Sequence, residues 1–182
     1  AEALVRWIAP ILSFTAEEIW ENLPGQRGVS VMLAQWFERL QGQGPDETMG
    51  PEYWREVMAV RAAVNREMET QRAAGVIRGS LDAAVTLFCD EGLHARLSEL
   101  GDELRFVLIT SEATLEPLAN SPANGAATEL DGLRLLLTAS PHEKCARCWH
   151  RRAEVGRIAA HPGLCERCVE NVDGSGEVRH FA

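Results

Sequence analysis

Apolar residues recur at helical spacing from the start of the chain, through Leu4, Trp7, Ile8, Ile11 and Leu12, which predicts an amphipathic helix. Pro10 must bend or interrupt it, because proline removes a backbone donor. Thr15 followed by Glu18 fits a capping box and predicts a second helix that shows Ile19, Trp20 and Leu23 on one side. Pro24-Gly25 ends it. So dense an apolar face on such short pieces needs further helices, so this end reads as the last part of a truncated bundle. The chain lacks an initiating Met and opens inside a periodic pattern, and is therefore expected to be a fragment. Residues 29–40, VSVMLAQWFERL, are expected to form an extended strap packing through Met32, Leu33, Trp36 and Phe37. GQGPDETMGP reads as a linker.

A long helix is predicted from Glu52 to Ala74, with Trp54, Val57, Met58, Val64 and Met68 on its apolar side. Arg61, Asn65 and Glu69 form a polar row at i, i+4, i+8, expected to be a solvated face. Gly75 is a natural stop. LDAAVTLFC then reads as a strand and EGLHARLSELG as a short helix ending at Gly101. DELRFVLITSEATLEPL is expected to supply one or two strands and LDGLRLLLTAS another, with NSPANGAAT as a loop. His94 has no matched partner and reads as a surface histidine. The expected class is α+β: the end of a truncated helical bundle over 1–44, a long helix with a small mixed α/β module over 45–140, and a zinc ribbon-like module over 141–182.

Charge and cysteine usage sharpen this picture. The net charge of −9 argues against indiscriminate nucleic-acid binding. Residues 142–182, however, hold seven Lys+Arg against six acids, so any charge-driven nucleic-acid contact belongs near the C-terminus. No stretch approaches the roughly 20 apolar residues of a membrane span, and no signal peptide is expected. Cys89 stands alone in an apolar run and reads as a small buried hydrophobe.

The other four cysteines form C-x2-C-x16-C-x2-C, with CARC at 145–148 and CERC at 165–168. Zn²⁺ takes four ligands in a tetrahedron, and thiolates suit it. Each C-x2-C offers two sulfurs on one tight turn, and the residues between allow a short hairpin with HPG at 161–163 as its turn. A disulfide pair or a dithiol redox site fits this spacing poorly. Cys145, Cys148, Cys165 and Cys168 are therefore the expected ligands of one structural Zn²⁺, with no position left for water. His142, His150 and His161 are not needed. A cytoplasmic, reducing compartment is expected from the same clustering. A tail of this size cannot bury enough apolar surface to fold unaided, so the metal is expected to supply folding free energy.

EKCARCWHRRAEVG and HPGLCERCVENVDGSGEVRHFA resemble the terminal zinc module of bacterial isoleucyl-tRNA synthetases. Related zinc ribbons end formamidopyrimidine-type DNA glycosylases, so the cysteine pattern alone does not choose. VRWIAPILSFTAEEIWENLPG resembles the end of the helical anticodon-binding domain of synthetases for isoleucine, valine and leucine. VMAVRAAVNREMETQRAAGVIRGSLDAAVTLF resembles the region that follows it in the isoleucine enzymes. The resemblance implies a parent class I ligase that charges isoleucine tRNA using ATP, with the parent's remaining domains and isoleucine tRNA as partners. The HIGH and KMSKS signatures of its catalytic domain do not occur in these 182 residues, so the chain is expected to bind and not to catalyse. The alternatives are a glycosylase end and a zinc module for protein interaction. Arg147, Trp149, Arg151 and Arg152 are the expected RNA contacts: Trp149 and Arg147 at bases of the anticodon loop, Arg151 and Arg152 at phosphates. Trp149 as the core of the zinc module is the competing reading.

Overall fold

The computed structural model describes residues 1–38 and 49–181, and the chain divides into two compact units, Ala1–Glu47 and Thr48–Ala182. In the first, α1 (Glu2–Ile8) and α2 (Ser13–Asn22) are separated at Pro10 as expected. Thr15 does not cap α2. The helix begins at Ser13 without a side-chain cap, because the turn after α1 already feeds it: Leu12 N–H donates to Ile8 and Ala16 N–H to Leu12. The buried residues are Val5, Ala9, Ala16, Trp20 and Val31, whereas Leu4, Ile11, Leu12 and Phe14 are exposed. The indole of Trp20 donates to the carbonyl of Gly28 at 2.8 Å.

The strap also differs from expectation. Val31–Leu33 is a 3-10 turn held by Ser30 Oγ, which accepts from Met32 N–H. Its packing runs through Val31, while Met32, Leu33 and Trp36 stay exposed. Most of the linker expected at 42–51 lies outside the described residues.

In the second unit, α3 (Pro51–Ala73) starts on a proline at its first position, where no donor is lost. It ends at Gly75, whose φ of +76° suits glycine, with Val76 N–H closing back on Gln71. Its buried face is Tyr53, Val57, Val60, Ala63, Val64 and Met68; Met58 is exposed. A four-stranded sheet follows in the order β2-β1-β4-β3, with β1 Ala83–Cys89, β2 Glu112–Pro117, β3 Ala126–Ala127 and β4 Leu133–Ala139. β1 is parallel to β2 and antiparallel to β4.

A parallel pair needs a crossover, supplied by α4 (Glu91–Ser98) and α5 (Leu104–Leu108). LRFVL was expected in a strand. It is helical because Leu104, Val107 and Leu108, at i, i+3, i+4, bury together against α3 and the sheet. Val85, Leu87, Leu133, Leu135 and Leu137 share that core. Cys89 is buried within it, and burial pushes its thiol up to about 12, which fits an inert hydrophobe. His94 is half-buried; its backbone N–H donates to the Asp90 carbonyl, and Ser98, one turn on, meets its ring and its carbonyl.

Candidate metal centre and the knuckle beside it

After β4 the chain enters a knuckle built by short-range backbone bonds. Cys145 N–H donates to His150 at 2.9 Å, Trp149 N–H returns to Cys145 at 3.0 Å, and Arg152 N–H reaches Glu143 at 3.1 Å. Lys144 and Arg151 form an antiparallel bridge at its base. The second cysteine pair sits where α6 (Glu166–Asp173) begins, with Cys165 as its N-cap and Cys168 in its first turn. Residues 149–164 form turns rather than the expected hairpin, although His161 does open one, with Leu164 N–H donating back to it.

This folding brings Cys145, Cys148, Cys165 and Cys168 together, their sulfurs all within 4.8 Å of one another. Cys148 and Cys165 are 3.6 Å apart at Sγ, close to the edge of about 3.8 Å that a tetrahedron of 2.3 Å zinc–sulfur bonds requires. Cys165 N–H and the Arg147 guanidinium point at the sulfurs of Cys145 and Cys168, at 3.4 and 3.7 Å. Such donors offset the charge of four thiolates. The donor set fits a closed zinc site, and the surrounding core is little more than the cysteines with Val155 and Leu164.

The three nearby histidines have other partners. His142 faces Glu112 at 3.5 Å, His161 meets Asp173, and His150 packs edge-on against Phe106. Burial, reinforced by Arg105 and Arg167, holds His150 down to about 4, so its ring is neutral.

The four residues expected at RNA separate into two pairs. Trp149 is 60% exposed and Arg147 is exposed. Trp149 adopts φ +70°, in the left-handed region, and Lys144 Nζ lies 5.0 Å above its ring. Arg151 and Arg152 instead turn inward. Arg151 Nε donates to Asp82 at 2.8 Å and its Nη1 to the carbonyl of His142 at 3.1 Å. Arg152 reaches Glu154 and the carbonyl of Ser111. Lys144, which sequence reasoning missed, joins Arg147 and Arg157 as cations without a carboxylate partner among the described residues. Only its place beside CARC could have flagged it.

Two stretches match known families. Residues 1–87 match the family described as the anticodon-binding domain of tRNA ligase, and residues 143–171 the zinc finger found in FPG and IleRS. The second description spans two kinds of protein, and the first decides between them. Along its whole length the chain is similar to isoleucine–tRNA ligases. It is 59% identical over all 182 residues to that of Pseudomonas aeruginosa strain UCBPP-PA14, and equally to that of Pseudomonas putida strain W619. The ligase of Pseudomonas entomophila is 58% identical over the same span. In each case all of this chain aligns, and it covers 19% of the relative's length. Among the described residues, no helix is long and apolar enough to cross a membrane.

Proposed function

We propose that this chain is the tRNA-binding part of an isoleucine–tRNA ligase. In this reading Cys145, Cys148, Cys165 and Cys168 hold one structural Zn²⁺, and the first knuckle meets the anticodon loop of isoleucine tRNA. ATP and isoleucine are consumed in the parent's catalytic domain, in the cytoplasm, where thiolates persist. The exposed Leu4, Ile11, Leu12 and Phe14 are what a neighbouring domain of that parent would cover.

The observation that carries the reading is the backbone of Trp149. A left-handed conformation costs a side-chain-bearing residue roughly 1–2 kcal/mol, and glycine would avoid that cost. Burial of a large ring could repay it, but most of this ring faces solvent. An aromatic ring held outward on such a backbone supports recognition of something outside the chain. A base can stack on the indole face opposite Lys144, and Arg147 and Lys144 supply charge for the loop's phosphates.

Trp149→Gly separates the two uses of the residue. Zinc content should stay at one equivalent, and melting should stay level or rise. Affinity for isoleucine tRNA should fall about 5- to 150-fold, the equivalent of one stacked base at 1–3 kcal/mol. Unchanged affinity would remove Trp149 from the interface, and loss of zinc would make it structural.

A further inference from the structure

Arg151 lies two residues from Trp149 and opposite Lys144 in the bridge at the base of the knuckle. Its guanidinium is committed away from that exposed face. Nε donates to Asp82 and Nη1 to the His142 carbonyl, two directions that one rigid fork can serve and an ammonium cannot serve in the same way. The backbone N–H of Arg151 adds a third tie, to Ser111 Oγ at 2.7 Å.

The groups that receive these bonds are themselves fixed. Asp82 closes a 3-10 turn just before β1. Its Oδ2 accepts from Gly79 N–H at 3.0 Å, and its carbonyl accepts from Ser140 N–H at 2.8 Å, just after β4. Ser111, just before β2, donates its hydroxyl to the Leu81 carbonyl at 2.6 Å, and its own carbonyl accepts from Arg152 at 3.4 Å. The seam therefore runs along one end of the sheet, where β1 and β2 begin and β4 finishes. It fastens the knuckle to three strands at once. Arg151 also holds the Asp82 carboxyl below the ordinary carboxylate range, as a committed ion pair does.

We propose that Asp82, Ser111 and Arg151 form a positioning clamp, which sets the direction in which Trp149, Arg147 and Lys144 face, and that Arg151 acts on RNA through this clamp and not by touching a phosphate. The proposal rests on the tRNA-binding reading. Recognition of a splayed base tolerates little angular error, so a knuckle hinged only by the chain after β4 would lose affinity without losing any contact residue.

A double-mutant cycle in the full chain tests it, with isoleucine tRNA binding measured across a range of salt. Asp82→Asn and Arg151→Gln should each lower affinity by roughly 3- to 10-fold, and the double variant should be no worse than the weaker single. Zinc content and the slope of log affinity against log salt should be unchanged. A direct phosphate contact predicts a different set of results: Asp82→Asn neutral or tighter, and Arg151→Gln weaker with a slope about 0.7–0.9 shallower. That outcome overturns the clamp while leaving the tRNA reading intact, as would a loss of binding in Trp149→Gly with both clamp variants unaffected. Should the unaltered chain not bind tRNA, the tRNA reading itself fails. The clamp is then judged by hydrogen exchange over residues 143–152: faster exchange in Asp82→Asn supports it and unchanged exchange overturns it.

Discussion

Two non-glycine residues among those described hold a positive φ, Trp149 and Ile109, and substituting each in turn tests the reading of Trp149. Ile109 follows α5, with Thr110 N–H closing back on Arg105 at 2.9 Å, so a left-handed residue is needed to reverse the chain into β2. A β-branched side chain is poorly suited to that conformation. The side chain is 44% exposed, so its packing repays little. Ile109→Gly should therefore raise stability by about 1 kcal/mol, seen as a higher urea midpoint. It should leave tRNA affinity alone, in contrast to Trp149→Gly. A lower midpoint would mean that the covered part of Ile109 outweighs the relaxed backbone. Neither strained position was legible in the sequence, because backbone conformation leaves no mark where the residue is not glycine.

At the scale of elements, helical periodicity located α1 and α3, a turn signal opened α2, and the apolar runs and their boundaries located α4, β1 and β4. Periodicity was less able to choose which apolar residues face inward. On α3 the larger side chains drew attention to Met58, yet the helix rotates to bury Tyr53, Val60 and Ala63 instead. The same happened along α1, α2 and the turn that joins them, where Ala9 and Ala16 are covered and Leu4 and Ile11 are not. Small residues let elements approach, and hydrophobicity alone undervalues them. LRFVL failed for a different reason: its helix exists to carry a crossover between parallel strands, and the pairing of β1 with β2 is a nonlocal fact. The corrected face of α3 makes a paired prediction. Val60→Ala should cost about 1–3 kcal/mol in denaturant unfolding, whereas Met58→Ala should stay within about 0.5 kcal/mol. Equal effects would mean that the helix sits rotated from the face described.

At the scale of the whole molecule, the gathering of the four cysteines was legible, since two C-x2-C turns bring their sulfurs together. The cluster's orientation was not, because that depends on Asp82 and Ser111, 69 and 40 residues away from Arg151. The same separation predicts how the second unit responds to metal removal. Its main core joins α3, α4, α5 and the sheet, while the cysteine cluster has a core of its own consisting mainly of the four cysteines. Without zinc that small core would confront four closely spaced thiols with almost no apolar burial to retain them. The contacts between the two regions are mostly polar. They include the Asp82–Arg151 seam, Arg152 donating to the Ser111 carbonyl, His142 facing Glu112, His150 edge-on and Arg179 stacked against Phe106, and the Glu103 carboxylate accepting from the backbone of His180 and Phe181. Partly exposed ion pairs of this kind contribute at most about 1 kcal/mol each, too little to hold an unfolded tail in place or to pull the sheet down with it. Hydrogen exchange after chelation should therefore show lost protection over residues 143–173 and preserved protection in β1 and β4. Readdition of zinc should restore it. Protection lost equally across the sheet would make the two regions one cooperative core, and protection retained over 143–173 would mean that the knuckle does not depend on metal.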